Sequence, residues 1–304
     1  MSDVIDAVKK AFSMAEKGMI DVPLRTVIPT KDGSLLFMPA YAESLGMAVL
    51  KNVNVIPGNA ALGLSTTPAQ ILLIDARTGC HLAMLDGTCV TQLRTGAASG
   101  AAFDVLAKRH CRKGALIGTG GQAESQLDAM LSVRTLEEVV IFSPTADRCR
   151  AFVDRMRQKY QKSGVLLKCA ANPDECIEDA DLVITVTTSS EPVFDASKVK
   201  IGATVSCVGN YQPDRHEIDP ALMARADKIF CDSKDAVLSE SGDLLIPLRL
   251  GLISEKDIQG GLGEVINRKL AGRENDDEII VFKTVGIAAQ DLITSLMIYE
   301  KIGH

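Results

Sequence analysis

Six residues, Gly118-Thr119-Gly120-Gly121-Gln122-Ala123, constrain this chain more than any other stretch. An apolar strand candidate, Ala115-Leu116-Ile117, runs into them, and Leu127, Met130, Leu131 and Arg134 follow at helical spacing. Strand, glycine turn and helix in that order are the context in which G-x-G-x-x-A reads as a dinucleotide fingerprint; without those flanks it would be an ordinary turn. Gly118 permits the tight turn, Gly120 lets a pyrophosphate approach the backbone, and Ala123 is small enough for the helix to pack on its strand. The first helical N–H groups and the positive end of the helix dipole then suit the phosphates. Gly118, Gly120, Gly121 and Gln122 are therefore expected to bind a dinucleotide.

The rest of the chain narrows the class. Its 304 residues allow two domains, and a 46% hydrophobic content allows well-packed cores. There is no Trp and only 4% aromatic, which leaves little for stacking bases. A net charge of −6 argues against a nucleic-acid or anionic-membrane surface. No apolar run approaches the roughly 20 residues that span a bilayer. The start of the chain, with Val4, Val8, Ala11, Phe12 and Ala15, reads as an amphipathic helix and not a secretion signal. Eight cysteines show no C-x-x-C pairing, as expected of thiols in a reducing cytoplasm. The four histidines, 81, 110, 216 and 304, have no metal-ligand spacing, and no G-x-S-x-G elbow is present. Cys207, near a strand end, reads as core. A cytoplasmic globular protein without a metal is expected.

Along the chain, Val22–Ile28, Ser34–Met38, Met47–Val55, Gln70–Asp75 and Cys80–Leu85 read as strands, the last two as a hairpin closed by Asp86-Gly87. Thr91–Lys108 turns helical with unusually small side chains, so something lies close against its backbone. From Lys113 the pattern changes to alternating strands and helices. Strands are expected at 115–118, Val139–Phe142, Val165–Cys169, Leu182–Thr187, Thr204–Val208, Lys228–Cys231 and Ile279–Phe282. Helices are expected at Ala146–Lys162, Pro173–Glu178, Pro220–Ala226 and 233–240. Such runs imply a parallel sheet covered on both faces. The fold class expected is α/β: a Rossmann-type doubly wound parallel sheet over 113–283, plus an α+β domain over 1–112. The final amphipathic helix, Val285–Ile302, returns to the first domain, so that 284–304 completes it.

An acidic residue at the end of the second Rossmann strand would bind the ribose of NAD. Here that strand ends Phe142-Ser143-Pro144-Thr145, while Glu137 and Glu138 lie at its other end. Ser143, Thr145 and Arg148 could instead take a 2′-phosphate, although Arg148 reads equally well as a solvated helix cation. NADP(H) is favoured, with NAD(H) the alternative.

Taken together, these stretches resemble the ornithine cyclodeaminase/μ-crystallin family. The matching segments are Pro23–Pro29, Phe37–Tyr41, Lys51, Gln92–Thr95, Gly118–Ala123, Ile184–Pro192, Val208-Gly209 with Pro213-Asp214 and Glu217–Asp219, Glu240–Asp243, and Val281–Gly286. The resemblance implies a Rossmann domain and a substrate domain that also forms a homodimer. It implies catalytic roles for Arg25, Lys51 and Arg94, with Met38 beside them in the substrate pocket. Thr95, Val186, Thr187 and Val285, together with Arg94, are implied on the cofactor side.

The residue chemistry agrees. A planar guanidinium fork suits a carboxylate, so two arginines would hold the α-carboxylate of an amino or imino acid. Arg94 is expected to open its helix, adding N–H groups for the anion. Lys51, in an apolar strand, could polarise the substrate and supply a proton. Structural ion pairs for the arginines and a snorkelling lysine are the alternatives. Asp291 either orients this group or is an early-turn acid favoured by the helix dipole.

Two positions depart from the family. Cyclodeaminases carry a catalytic aspartate two residues after the glycine that matches Gly209, where this chain has Tyr211. A phenol with an unperturbed pKa of about 10 does not replace a carboxylate. Pro144 stands where relatives that use NADPH often have Arg. The expected activity is therefore NAD(P)-dependent oxidation or reduction at the C–N bond of a small amino or imino acid. Pyrroline-2-carboxylate reductase and alanine dehydrogenase are examples. Ornithine cyclodeamination and non-catalytic, NADPH-dependent small-ligand binding are the rivals.

Overall fold

A computed structural model describes residues 1–303; His304 lies outside the described residues. The chain forms two compact units, one from Asp3 to Arg94 together with the segment from Gly286 onward, the other from Thr95 to Val285 together with Met1–Ser2. The division falls inside a helix, between residues 94 and 95, rather than at 112/113.

The first unit holds a five-stranded antiparallel sheet in chain order: β1 (Thr26–Thr30), β2 (Gly33–Ala42), β3 (Met47–Val55), β4 (Ala69–Asp75) and β5 (His81–Asp86). Alternation sends Leu36, Met38, Ala40 and Ala42 of β2, Val49, Lys51 and Val53 of β3, and Ala69, Ile71 and Leu73 of β4 to one buried face. Lys51 is the single charged group in that apolar field. Two helices belong to this unit, α1 (Ser2–Glu16) and, counted last in the chain, α10 (Ala288–Ile302), which packs on β2, β3 and β4. Helix α1 buries the apolar stripe Val4, Val8, Ala11 and Phe12, and an Asp3–Lys301 ion pair links it to α10.

Helix α2 (Gly87–Leu106) carries the chain from one unit to the other. It starts earlier than its pattern suggested. Asp86 ends the hairpin opposite Gln70 and also caps the helix, accepting from the Thr88 and Cys89 amides at 2.9 and 3.1 Å.

The second unit is an eight-stranded, wholly parallel sheet ordered β12-β11-β13-β10-β9-β6-β7-β8. Its strands are β6 (Lys113–Ile117), β7 (Glu138–Phe142), β8 (Leu166–Cys169), β9 (Leu182–Thr185), β10 (Thr204–Cys207), β11 (Lys228–Cys231), β12 (Ile258–Gly261) and β13 (Ile280–Lys283). Its helices are α3 (Ala123–Val133), α4 (Ala146–Lys159), α5 (Pro173–Ile177), α6 (Pro220–Arg225), α7 (Lys234–Glu240), α8 (Gly242–Arg249) and α9 (Leu262–Ile266). One core joins Phe103, Leu127, Met130, Phe152 and Met156 to Leu116, Val139 and Ile141 on one face. Another joins Ile177, Leu222, Val237 and Leu244 to Ala115, Val183 and Val205 on the other. Helices on both faces of a parallel sheet are the doubly wound arrangement. The small-sided α2 has its neighbour in this unit, because a Cβ on Gly96 would stand 2.3 Å from the Ser125 carbonyl oxygen.

The order β8-β7-β6-β9-β10 reverses direction between β6 and β9, the switch point at which such sheets bind ligands. Strand β9 is shorter than expected because the Thr187 amide donates to Glu217 Oε2 instead of to a neighbouring strand. No helix among the described residues is long and apolar enough to cross a membrane.

Candidate active site

In the antiparallel unit, four elements bring charged side chains together. Met38 and Lys51 face each other across β2 and β3, and both are buried. Lys51 Nζ donates to Asp291 Oδ2 at 2.6 Å, and Arg94 Nε donates to Asp291 Oδ1 at 3.2 Å. One carboxylate from the first turn of α10 therefore holds both cations. Asp291 is fully buried and lies in the first turn of α10, so the carboxylate that both cations contact is also an early-turn acid of that helix. Gln290 Oε1 accepts from the Ile287 amide at 2.9 Å and from Arg94 Nη1 at 3.5 Å, tying the helix start to the guanidinium. Arg25, half-buried, donates from Nη2 to the Gly286 carbonyl at 2.7 Å.

Burial lowers the Lys51 pKa to about 7, and the Arg94 and Arg25 charges add to the effect while Asp291 opposes it. An ammonium with a pKa near neutrality exchanges its proton readily under physiological conditions. Arg94 lies well inside α2, which begins at Gly87, so it does not open that helix. Its neighbourhood is positive because of the guanidinium, without a contribution from free helical N–H groups.

In the parallel unit, the glycine turn leaves the carboxyl end of β6 at the switch point. The Gly118 amide donates to the Phe142 carbonyl, and the Val186 amide to the Ile117 carbonyl, both at 2.9 Å. Gly118 has φ +111°, and a Cβ there would lie 2.6 Å from the Val186 carbonyl oxygen. At Gly120 a Cβ would meet nothing within 4 Å. Internal packing therefore demands the first glycine, whereas at the second the backbone faces open space. Gln122 precedes α3 without capping it through its side chain, and its Oε1 is buried with no hydrogen-bond partner. An open backbone cradle and an uncapped helix start fit the pyrophosphate of a dinucleotide, whereas the orphaned Gln122 Oε1 is an acceptor and calls for a donor rather than a phosphate oxygen.

Ser143, Thr145 and Arg148 follow β7, with Thr145 and Arg148 exposed. Thr145 stands at the N-cap of α4 but makes no side-chain cap bond. Thr187 is held by Glu217 through both its amide and its hydroxyl, at 2.8 and 2.7 Å. Val285 is fixed by its amide bond to Asp232 Oδ2 at 2.9 Å, and Thr95 opens the α2 segment of this unit.

Sequence reasoning left several of these roles unassigned. Gln290 and Asp232 have no role there, and Glu217, Asp243, Lys283 and Gly286 serve only as matching residues. Cys207 is fully buried, and burial raises its thiol well above the ordinary range, so it is core and no nucleophile. No group of three or more His, Cys, Asp or Glu side chains among the described residues could hold a metal ion.

With this geometry in view, the profile of the ornithine cyclodeaminase/mu-crystallin family matches residues 1–304. The chain belongs to that family. It is 37% identical over 303 residues to a Delta(1)-pyrroline-2-carboxylate reductase from Bacillus cereus, covering 99% of this chain and 92% of that protein. The structure of Thermococcus litoralis Delta(1)-pyrroline-2-carboxylate reductase in complex with NADH and L-proline superimposes with a TM-score of 0.95 at 37% identity, covering 99% and 93% of the two chains. An archaeal alanine dehydrogenase dimer with bound NAD gives a TM-score of 0.92 at 32% identity, covering 99% and 91%. Within the family, Tyr211 remains the departure from the cyclodeaminase pattern. Asn210 beside it is buried and donates to the Ser189 carbonyl at 2.6 Å.

Proposed function

We propose that this protein reduces a small cyclic imino acid of the Δ1-pyrroline-2-carboxylate type to the corresponding amino acid. More broadly, it is a nicotinamide-dependent oxidoreductase acting on the C–N bond of a small amino or imino acid. The observation that carries the reading is Lys51, a fully buried ammonium of near-neutral pKa held by Asp291 and flanked by Arg94.

The unit comprising residues 3–94 and the segment from 286 onward binds substrate, and the unit over 95–285 binds the dinucleotide through Gly118, Gly120, Gly121, Gln122, Val186, Thr187 and Val285. A reduced nicotinamide, when bound, supplies the hydride taken up by the imine carbon. The rest of the chemistry belongs to the protein. Arg25 and Arg94 hold the substrate carboxylate. Arg94 Nε and Nη1 are committed to Asp291 and Gln290, which leaves Nη2 for a carboxylate oxygen. Lys51 donates a proton to the imine nitrogen, and Asp291 keeps the ammonium aimed and the guanidinium in register. Met38, across the strand pair from Lys51, supplies an apolar wall for the ring.

NADP(H) is favoured, because Ser143, Thr145 and the exposed Arg148 follow β7 with no carboxylate to repel a 2′-phosphate. NAD(H) is the competitor, since the two solved neighbours hold NADH and NAD. The apolar side chains Leu24, Val27, Ile28 and Met84 are exposed in the substrate unit, which supports a homodimer like the alanine dehydrogenase neighbour.

The test is NADPH or NADH oxidation with Δ1-pyrroline-2-carboxylate, its six-membered analogue, pyruvate with ammonia, and L-ornithine. Proline formed from the five-membered imine, with ornithine inert, is the expected outcome. Absence of cofactor oxidation with every imine, or release of ammonia from ornithine, would overturn it.

A further inference from the structure

Beneath the carboxyl ends of β9, β10 and β13 lies a buried ionic cluster that the chemistry above does not use. Glu217 is fully buried and accepts four bonds: Thr185 Oγ1 at 2.8 Å and the Gly209 amide at 2.6 Å on Oε1, the Thr187 amide at 2.8 Å and Thr187 Oγ1 at 2.7 Å on Oε2. Asp243 accepts from the Glu217 and Ile218 amides at 2.8 and 3.2 Å, and from Lys283 Nζ at 2.7 Å. Lys283 Nζ also donates to the Asn210 carbonyl at 2.7 Å. No room remains between Glu217 and the backbone, since a Cβ on Gly209 would stand 2.5 Å from Glu217 Oε2.

Two carboxylates face one ammonium, so the ionised cluster carries a net single negative charge. Four donors on Glu217, two of them backbone amides that cannot accept a proton, favour its ionised form even though burial and the Asp243 charge raise its pKa. The same charge surplus raises the pKa of Lys283 against its burial.

Placement gives this charge a meaning. In a doubly wound sheet the dinucleotide crosses the carboxyl ends of the strands. With the pyrophosphate on the turn after β6 and the 2′ end toward β7, the second mononucleotide would lie over β9 and β10. That half carries the nicotinamide, which is a cation when oxidised and neutral when reduced.

We infer that the Glu217–Asp243–Lys283 cluster is an electrostatic tuning element: its net negative charge stabilises the oxidised, cationic nicotinamide relative to the reduced ring and makes the bound cofactor a stronger hydride donor. The inference rests on the dinucleotide reading of this unit. Glu217 acts through the field and through its grip on Thr187 and Gly209, and is a positioning residue.

The experiment measures dissociation constants of the oxidised and reduced cofactor separately, by calorimetry and by nicotinamide fluorescence, for the wild type and for E217Q, which removes one charge and keeps the shape. E217Q is expected to raise the oxidised-to-reduced ratio of dissociation constants about tenfold, a positive shift of about 30 mV in the bound couple. D243N makes the same charge change from another position and should move the ratio the same way, which keeps the test available if E217Q does not fold. K283M leaves both carboxylates uncompensated and should move it oppositely. A purely structural role would weaken both forms alike, so an unchanged ratio in folded E217Q or D243N overturns the inference. If the wild type binds neither form, the dinucleotide reading itself falls, and the two failures are thereby told apart.

Discussion

The ε-nitrogen of Lys51 lies 2.6 Å from Asp291 Oδ2, and both side chains are wholly withdrawn from solvent. Burial dominates this contact and brings the lysine pKa down to about 7. Below that value Lys51 is an ammonium able to protonate an imine; above it the amine can only accept. Reductive kcat/KM is therefore expected to fall as pH rises through about 7, and oxidative kcat/KM to rise over the same interval. The shift also links to stability. With a folded pKa near 7 and a reference value of 10.5, the unfolded chain holds more protons between them, so this group's contribution favours folding increasingly as pH rises across that window. Initial rates in both directions from about pH 5 to about pH 10 check the first point, and parallel profiles would count against Lys51 as the proton donor.

Asp291 opposes the depression of the Lys51 pKa. Substituting Asp291→Asn removes that pull, so the alkaline limb of the reductive profile should move to lower pH. Activity at neutral pH should drop about tenfold to a hundredfold. Because Arg94 loses its partner as well, KM for the imino acid should rise while KM for the cofactor stays near its wild-type value. A D291N profile superimposable on the wild type would show that the carboxylate does not govern the lysine.

The glycine turn separates packing from binding. Gly118→Ala puts a methyl 2.6 Å from the Val186 carbonyl oxygen at a φ of +111°, so the melting temperature should fall by several degrees. Gly120→Ala meets no protein atom within 4 Å, so its melting temperature should stay close to wild type while KM for the cofactor rises about tenfold or more. Thermal melts of the two variants beside cofactor titrations decide the matter; a cofactor KM unmoved in G120A would remove the pyrophosphate from this turn.

How much of this could be read in advance differed by element. Strand β3 was legible to the residue, because Met47–Val55 alternates weakly with no glycine or proline to interrupt it, and Lys51 stood out there as a charge that burial would penalise. Its partner did not stand out, because 240 positions separate Lys51 from Asp291 and no local pattern encodes that meeting. Helix α8 went unread since it starts at Gly242 and contains Pro247, both discouraging residues. Strand β12 reads Ile258-Gln259-Gly260-Gly261, half of it glycine, which strands disfavour. Glu217, Asp243 and Lys283 were each visible as residues, but only the sheet topology makes them one buried cluster.

Gly286, in the unit proposed to bind substrate, is constrained twice over. Its φ of +80° is one that L side chains rarely adopt, and an added Cβ would stand 2.4 Å from Arg94 Nη1 and 3.1 Å from Cζ. Its carbonyl also anchors Arg25 at 2.7 Å, so both arginines proposed to hold the carboxylate are referred to one backbone unit. Gly286→Ala should cost about 1 kcal/mol or more in stability from the backbone alone, and it should push Arg94 off its bonds to Asp291 and Gln290. A guanidinium displaced by an ångström or so no longer makes a two-pronged contact, and a lost charge-assisted pair is worth about tenfold or more in binding. The expected signature is a raised KM for the imino acid with cofactor dissociation constants unchanged. Steady-state kinetics against imino acid and cofactor in turn, at saturating levels of the other, would reveal it. A G286A enzyme with wild-type KM for the imino acid would mean that Arg94 does not bind the substrate carboxylate.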